Sequence, residues 1–366
     1  MSLPRIAPAT IAVPFRLHRL GIVMTSDPGN SDEAWGVLNP ACCRDRDGTL
    51  LLFPRIVAVK NFSRIGLARV RFAAEEPIGV ERLGYALEPT EDFERNATTA
   101  GVEDPRVVYV AALDRFVMTY TAFGPCGPRV ALAVSRDAHT WERLGPIGFA
   151  NDPRVGVDFN RYHNKDALLF PAPVSDPAGR PALALIHRPD YTVLTETGEH
   201  KSATPTDITE TRPSMWISYT PLAAAQGDIR ALTNWSDHRL LATPEQPWEA
   251  QKIGGGAPPI LTALGWLVLY HGVGPVPTLA DGRTGRPPYA AGVLILDRDD
   301  PRRVLYRSPA PILEPDTAAE RLGTVDNVVF PTAVDPRDAG RIDVYYGMAD
   351  ARIGVARLNV PATLPG

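Results

Sequence analysis

The sequence predicts an all-β fold built from many short strands, and two observations point to it. The chain of 366 residues carries 37 prolines and 30 glycines, together about 18% of the residues against roughly 12% in average proteins. Proline is disfavoured inside helices and central strands, and these prolines are scattered between apolar runs instead of being massed together. The second observation is that two short apolar patterns recur along the chain.

Both patterns are typical of strands in a repeated antiparallel sheet. The first is a turn residue followed by an apolar run rich in strand formers, at Gly48–Phe53, Asp114–Tyr120, Asp166–Phe170, Gly265–Tyr270 and Asp343–Tyr346. The second is Arg, apolar, small, apolar, Ala, at Arg64–Ala68, Arg129–Ala133 and Arg352–Ala356. Each copy of the second pattern follows a copy of the first after a short gap, as consecutive strands do.

Five copies in 366 residues correspond to about 73 residues per unit, enough for four short strands and long loops. We therefore predict one domain over residues 1–366, a five-bladed β-propeller in which residues 1–38 supply an N-terminal extension and the first strands. A β-sandwich would also explain many short strands, but at this length it would divide in two, and no linker is evident. In a propeller, functional residues gather at one end of the central channel.

Charge and targeting features exclude several classes of protein. The formal net charge is −4 with the charged residues interspersed, so no nucleic-acid partner is predicted. Three cysteines are too few for a disulfide framework. The segment Met1–Leu17 is broken by prolines, and no apolar run approaches the roughly 20 residues of a membrane span. We expect a cytoplasmic protein that does not act at a membrane.

The segment Glu103–Arg106 (Glu-Asp-Pro-Arg) precedes an apolar strand, Val107–Ala111. A carboxylate held at the start of a strand by a stiff proline is well placed to act as a fixed acid or anion. The alternative is an ordinary turn in which Asp104 caps its own backbone and Arg106 pairs with Glu103.

Four further hydrogen-bond donors lie at or near predicted strand ends: Lys165, Arg188, Lys252 and His271. Singly, each has an ordinary explanation, as a solvated turn, a glycine-rich turn after Lys252, or a packing histidine. The Lys252 segment also lacks the order of a P-loop, in which the lysine follows the glycines. Together, propeller geometry would let the four donors converge on one phosphate or carboxylate.

No metal site is predicted, because the seven histidines show no ligand spacing and the cysteines form no CxxC pair. A carbohydrate would suit the pocket, since sugars need carboxylates and amides for their hydroxyl groups and aromatic faces for their C–H surfaces. The candidates are Asn39, Asp104, Asp350, Trp216, Tyr219 and Tyr346. For the aromatic residues, packing between blades is the alternative.

Seven motifs follow one another along nearly the whole chain, at Gly101–Arg106, Lys165–Pro171, His187–Pro189, Arg212–Trp216, Lys252–Gly256 with Pro258–Ile260, Gly265–Gly272 and Tyr346–Asp350. In residues and in order they resemble glycoside hydrolase family 130, the β-mannoside phosphorylases and their hydrolytic relatives. The resemblance implies a five-bladed propeller and an inverting mechanism with one protein acid, which by motif is Asp104.

The resemblance also implies the reaction. In the family's phosphorylases, inorganic phosphate attacks the anomeric carbon from the face opposite the leaving sugar, so no protein base is needed. The products are α-mannose 1-phosphate and the shortened acceptor. The acid is proposed to pass its proton through a hydroxyl of the bound mannose, so Asp104 can lie farther from the glycosidic oxygen than a usual general acid.

Ligand sets follow from the same resemblance. The phosphate ligands match Lys165, Arg188, Lys252 and His271, and the mannose contacts match Asn39, Arg55, Arg64 and Asp350. The expected partners are a β-mannoside and inorganic phosphate, with no cofactor and no metal. Lys165 departs from the arginine that family phosphorylases often carry, which keeps the charge but loses the bidentate fork.

Two alternatives stay open, an inverting β-mannosidase on the same scaffold and a propeller that binds glycans without cleaving them. The family's hydrolases lose most of the cationic set and activate water with a carboxylate pair, and no such pair is evident in the matching segments, which favours phosphorolysis. The acceptor sugar, the β-1,4 or β-1,2 linkage and the formation of a homo-oligomer are left open.

Overall fold

Four-stranded antiparallel units recur five times in the structure, a computed structural model that describes residues 14–95, 99–194, 200–202, 209–279, 281–338 and 340–364. Strands are numbered along the chain. The first unit contains β2 (Gly36–Arg44), β3 (Leu50–Ala58), β4 (Phe62–Ala73) and β5 (Glu76–Leu87). The second contains β6 (Ala100–Val110), β7 (Arg115–Gly124), β8 (Gly127–Ser135) and β9 (Glu142–Pro146).

The other three units follow the same plan. The third contains β11 (His163–Leu169), β13 (Pro181–Asp190), β16 (Met215–Pro221) and β17 (Asn234–Ala242). The fourth contains β18 (Lys252–Gly255), β20 (Gly265–Val273), β21 (Tyr289–Leu296) and β22 (Val304–Arg307). The fifth contains β23 (Val329–Asp338), β24 (Arg341–Met348), β25 (Arg352–Asn359) and the N-terminal strand β1 (Arg16–Thr25), which pairs antiparallel with β25.

Short elements complete the chain. Five small strands are β10 (Gly148–Phe149), β12 (Val174–Ser175), β14 (Thr192–Leu194), β15 (His200–Ser202) and β19 (Ile260–Thr262). The α-helices are α1 (Leu222–Gly227) and α2 (Ala318–Arg321). One-turn 3₁₀ segments lie at Ser31–Glu33, Val59–Asn61, Ala111–Leu113, Phe159–Arg161, Ile229–Thr233 and Pro247–Glu249. No helix within the described ranges has the length and apolar character needed to cross a bilayer.

The units pack against one another in cyclic order through apolar clusters. The clusters between successive units join Phe53 with Met118, Leu132 with Leu185, Ile217 with Val268, and Leu269 with Val344. A further cluster joins the first unit to the fifth, with Leu50 and Val355 among its members. Because both faces of a sheet are then covered, strands such as β20 read as continuous apolar runs and are buried along their full length.

The predicted all-β class is confirmed by this topology. The first sequence pattern marks the second strand of a unit at β3, β7, β20 and β24, and the second pattern marks the third strand at β4, β8 and β25. The copy Asp166–Phe170 is different, because it belongs to β11, the first strand of its unit. That strand is also covered on both faces, so its apolar run resembles those of the second strands.

The first strands of the units connect two cavities. One, of about 300 Å³, is lined by residues such as Asn39, Asp104, Lys165 and Lys252, which lie early in or near the start of these strands. The other, of about 340 Å³, is lined by residues three to six positions later, including Cys42, Val107, Pro171, Pro258 and Val334. The polar groups predicted for function lie at the first of these two ends.

Candidate active site

The cavity of about 300 Å³ brings together eight of the nine residues predicted for the site. They come from all the units of the fold and are Asn39, Arg55, Asp104, Lys165, Arg188, Lys252, His271 and Asp350. Residues more than 300 positions apart in sequence therefore share one pocket.

In three of the units, a β-bulge in the first strand places a polar residue at the cavity. The strand pairing shifts between Leu38 and Ala41, between Glu103 and Arg106, and between Lys165 and Leu168. Within these bulges, Asn39, Asp104 and Asp166 have φ values of 40°, 46° and 57°. Asn and Asp tolerate this left-handed region better than other non-glycine residues. A bulge re-aims the side chain, so each strand presents an amide or a carboxylate to the pocket.

Asp104 accepts two hydrogen bonds through Oδ1, from Asn39 Nδ2 at 3.0 Å and from Arg55 Nη1 at 3.1 Å. Its backbone carbonyl accepts from Arg106 Nη1 at 2.9 Å. Burial alone would raise the pKa of Asp104, but Arg55, Arg106 and the Asn39 hydrogen bond outweigh burial and lower it. Without ligand, Asp104 is therefore a carboxylate at neutral pH.

Arg55 links Asp104 to a second acid, Glu103. Its Nη2 donates to Glu103 Oε1 at 2.6 Å and to Asn61 Oδ1 at 2.9 Å, and its Nε donates to Ser63 Oγ at 3.0 Å. Burial raises the pKa of Glu103 although Arg55 opposes this effect. The alternative of a simple Glu103–Arg106 turn pair does not describe the site, because the partner of Glu103 is Arg55.

Asp350 lies in the turn between β24 and β25, where its φ is 48°. Burial raises its pKa to about 6, against the opposing effect of Arg55. The preceding motif residue Gly347 makes room for Asn39, because a Cβ on Gly347 would lie 2.1 Å from Asn39 Oδ1. That oxygen is buried and has no hydrogen-bond partner among the described residues. Asn39 thus lines the cavity with an acceptor that has no partner in the described part of the chain.

The four predicted phosphate donors form a second group in the same cavity. Lys165 and Arg188 are cross-strand partners on β11 and β13, and His271 is the partner of Gly254 on β18, the strand that Lys252 begins. Burial, followed by Arg188, lowers the pKa of Lys252 to about 8. Burial also lowers the pKa of His271 to about 3 although Asp166 opposes this effect. His271 is therefore neutral at physiological pH.

Two buried nitrogen atoms of this group lack a hydrogen-bond partner among the described residues. Arg188 Nη1 and His271 Nδ1 are buried, and neither has a hydrogen-bond partner within the part of the chain that the structure describes. Buried polar groups in native proteins are nearly always paired. An anion in the cavity would supply the missing acceptor for Arg188. Lys165 connects the two groups, since its charge acts on the pKa of Asp104, Asp166 and Asp350.

Several residues of the cavity were not predicted. Asp166, Arg286, Pro287, Tyr289, Val325, Val328 and Phe330 also line it. Asp166 belongs to the motif Lys165–Pro171, and its position next to Lys165 could have identified it. Tyr289 and Phe330 belong to no motif, and both pack on the His271 ring, with ring centroids 5.7 and 4.6 Å away.

The aromatic residues that were predicted as sugar contacts have the alternative role of packing between units. Trp216, Tyr219 and Tyr346 are each buried in an apolar cluster.

Arg64 is the predicted residue that the structure leaves outside the cavity lining. Its guanidinium lies over the rings of Phe62 and Tyr85, and it forms ion pairs with Asp32 at 3.0 Å and Glu88 at 3.3 Å. Arg64 follows Ser63 on β4, and alternation along the strand directs Ser63, not Arg64, to Arg55.

Among the described residues, no group of three or more His, Cys, Asp or Glu side chains has the arrangement of a metal site. All three cysteines are free. The cavity is thus lined by both carboxylates and cations, with Tyr289 and Phe330 as its aromatic surfaces.

Comparison with known proteins gives the family. The model of glycoside hydrolase family 130, described as beta-1,4-mannooligosaccharide phosphorylase, matches residues 16–188 and 212–364. The chain belongs to glycoside hydrolase family 130. This membership confirms the resemblance carried by the motifs, and with it the expectation of an enzyme of this family.

Two curated mannoside phosphorylases are each 31% identical to this chain over the aligned part of their sequences. A 1,2-beta-oligomannan phosphorylase of Thermoanaerobacter sp. (strain X514) is 31% identical over 77% of this chain and 79% of that relative. A beta-1,4-mannooligosaccharide phosphorylase of Ruminococcus albus is 31% identical over 70% of this chain, a match that spans only 62% of the relative's length.

A solved family 130 structure has the same fold. The β-1,2-mannobiose phosphorylase of Listeria innocua, in complex with β-1,2-mannobiose, superposes with a TM-score of 0.67 over 94% of this chain and 96% of that one. Its sequence identity is 23%, so this likeness bears on the fold alone.

Proposed function

We propose that this family 130 member is a β-mannoside phosphorylase that works by inversion. The observation that carries the proposal is the four-donor group of Lys165, Arg188, Lys252 and His271, which shares one cavity with the Asp104 carboxylate. A hydrolase needs a base to activate water, whereas phosphate is already an anionic nucleophile. That anion is suited by two lysines and by Arg188, which has one guanidinium nitrogen without a partner among the described residues.

In the proposed reaction, a phosphate oxygen held by the donor group attacks the anomeric carbon of the bound mannose. The glycosidic bond breaks on the opposite face, and the products are α-mannose 1-phosphate and the shortened acceptor sugar. Asp104 is the general acid, whose proton reaches the leaving oxygen through a sugar hydroxyl. This route suits a carboxylate that is held in place by Asn39 and Arg55.

Protonation of Asp104 is then coupled to phosphate binding. In the ligand-free site, Arg55 and Lys165 are among the charges that lower the pKa of Asp104. A bound phosphate adds negative charge beside Lys165 and offsets part of this effect, so the pKa of Asp104 rises when the nucleophile is in place. Phosphate binding therefore favours the protonated form of Asp104 in the ternary complex, where the proton is needed.

Mannose contacts are proposed for Asn39, Arg55 and Asp350. Asn39 Oδ1 is a buried acceptor without a partner in the ranges that the structure describes. Asp350, with a pKa of about 6, can accept a hydrogen bond from a hydroxyl group or donate one to it near neutral pH. Arg64 has no part in this proposal, since it lies outside the cavity lining. We propose a substrate class and not a linkage, because the curated relatives are named for both β-1,2 and β-1,4 mannosides.

The five-bladed β-propeller is proposed as the architecture of the five units. It is supported by their cyclic packing and by the pairing of β1 with β25, which joins the two ends of the chain in one sheet. We further propose that the enzyme acts in the cytoplasm and uses inorganic phosphate as co-substrate without another cofactor.

The test is to incubate the protein with β-1,2-mannobiose, β-1,4-mannobiose and β-1,4-mannosyl-glucose, with and without phosphate. We expect α-mannose 1-phosphate from at least one of the three substrates, and only when phosphate is present. Release of free mannose at the same rate without phosphate would instead identify a β-mannosidase.

A further inference from the structure

Asp166 contacts the proposed phosphate donors and is not itself a phosphate ligand, since both groups carry negative charge. We propose that Asp166 is a positioning residue, which holds Arg188 and His271 in the orientation that binds phosphate. This inference rests on the proposed function and adds to it a residue that acts through the ligands.

The first observation is the geometry of the three side chains. Asp166 Oδ2 accepts a hydrogen bond from Arg188 Nε at 2.7 Å and lies 3.8 Å from His271 Nε2. The second distance is too long for a hydrogen bond, and His271 is neutral at physiological pH, so the Asp166 carboxylate lies beside the ring without forming an ion pair with it. The three side chains are nearly inaccessible, with exposed fractions of 3% for Asp166, 1% for Arg188 and 2% for His271.

The second observation is which atoms Asp166 leaves unpaired. It binds the Nε edge of Arg188, and Nη1 on the same guanidinium has no partner among the described residues. It lies nearest Nε2 of His271, and Nδ1 of that ring is likewise unpartnered in the described part of the chain. Asp166 thus holds Arg188 by one edge and lies beside one edge of the His271 ring, while a second nitrogen of each of these cavity-lining residues has no partner among the described residues.

The third observation concerns Gly254 in the glycine-rich segment after Lys252. This segment is not a loop around a phosphate, because Lys252–Gly255 forms strand β18. A Cβ on Gly254 would lie 2.5 Å from Asp166 Oδ2, 2.5 Å from His271 Cε1 and 2.9 Å from Arg188 Nε. Gly254 does not have a left-handed φ that would by itself require glycine. Glycine is therefore needed at this position because Asp166, Arg188 and His271 occupy the space that a side chain would fill.

The charge of Asp166 and its positioning role have opposite effects on phosphate binding, so a test can distinguish them. The carboxylate repels phosphate, so a merely electrostatic neighbour would weaken binding, and its removal would strengthen binding. A positioning residue has the reverse effect, because its removal leaves a buried guanidinium free to turn away. Asn at this position keeps an acceptor oxygen for Arg188 Nε and removes the charge.

The experiment measures phosphate binding by calorimetry, and KM for phosphate, KM for the mannoside and kcat by release of mannose 1-phosphate, on the full chain. For Asp166→Ala we expect the Kd and KM of phosphate to rise about tenfold or more, with KM of the mannoside within about twofold. Asp166→Asn should return phosphate affinity to within about threefold of the wild type. Unchanged or tighter phosphate binding by Asp166→Ala would overturn the proposal.

Gly254→Ala covers the case in which Asp166→Ala does not fold. Its Cβ must displace the cluster, so a rise of about tenfold in phosphate KM is expected, and wild-type affinity in this variant would overturn the proposal. If the wild type cleaves mannosides without phosphate, the proposed function fails, whereas the calorimetric comparison still decides the role of Asp166.

Asp335→Ala is the matched control. Asp335 is equally buried and ion-paired, with Arg44 Nη2 at 2.7 Å, and both residues line the opposite cavity. The control should lose stability and keep the phosphate KM of the wild type. An equal rise in phosphate KM in this control would mean general destabilisation and would also overturn the positioning role.

Discussion

Asn39 donates a hydrogen bond from Nδ2 to Oδ1 of Asp104 at 3.0 Å, and the two residues occupy equivalent bulges on the first strands of neighbouring units. Both have left-handed backbone conformations, with φ values of 40° and 46°. The proposed acid is therefore held by the same local structure that presents its hydrogen-bond donor. Strain of this kind, at a few residues around one pocket, is typical of functional sites.

The first prediction follows from this hydrogen bond. Replacement Asn39→Ala removes a donor to the charged form of Asp104, so the pKa of Asp104 should rise. Because the acid must be protonated in the ternary complex to act, the alkaline limb of the kcat profile should move to higher pH, while kcat/KM falls through loss of a sugar contact. The pH–rate profile of phosphorolysis checks this, and a limb that stays in place or moves to lower pH would contradict it.

The second prediction separates catalysis from phosphate binding. Asp104→Asn should reduce kcat by about 10²–10⁴-fold, the usual contribution of a general acid. Phosphate binding should persist or tighten, because a negative charge leaves the cavity. Calorimetry with inorganic phosphate and single-turnover cleavage measure the two effects. Wild-type turnover by Asp104→Asn would remove Asp104 from the mechanism and support a protein that only binds glycans.

A third prediction concerns Lys252, whose pKa is lowered to about 8 chiefly by burial. Lys252 is charged below this pH and loses its charge above it, so kcat/KM for phosphate should fall as the pH rises through about 8. Arginine stays protonated throughout this range. Lys252→Arg should therefore abolish this limb of the profile, whatever its effect on the rate at neutral pH. A limb unchanged in Lys252→Arg would assign it to another group.

Arg55 and Arg64 form a natural pair for the fourth prediction, because both were predicted to bind the sugar and only Arg55 lines the cavity. Arg55→Ala leaves Glu103 and Asp104 without their buried partner, and should cost about 3–5 kcal/mol of stability together with most of the activity. Arg64→Ala breaks surface ion pairs and should cost within about 1 kcal/mol, with little change in kcat/KM. Thermal unfolding and steady-state kinetics compare the two, and equal losses of activity would show that Arg64 also acts on substrate.

The sequence predicted the fold class and most of the residues that meet in the cavity, because both depend on local signals. Apolar runs bounded by turn residues mark strands, and the motifs around Asp104 and Lys165 lie where first strands begin. The structure groups Lys165, Arg188, Lys252 and His271 in one pocket as expected. Their grouping needs only the cyclic order of the units, which the repeat already suggested.

Other features depend on contacts between distant strands and could not be read from local patterns. The space at Gly254 is required by side chains from β11, β13 and β20, none of which neighbours it in sequence. Likewise, Arg55 on β3 and Arg64 on the neighbouring strand β4 lie on opposite faces of the sheet, and a one-residue change of register would exchange such faces. Trp216 and Tyr219 are buried by packing between units. The sequence does not distinguish this role from sugar binding, because both roles use the same aromatic residues.

Phosphorolysis with inversion is tested most directly by an NMR time course. Purified protein would be followed by ¹H and ³¹P spectra with a β-mannobiose, in the presence and absence of inorganic phosphate. We expect that α-mannose 1-phosphate forms as the first mannosyl product and that no cleavage occurs without phosphate. Free mannose formed at an equal rate in both samples, or a β-configured sugar phosphate, would contradict it.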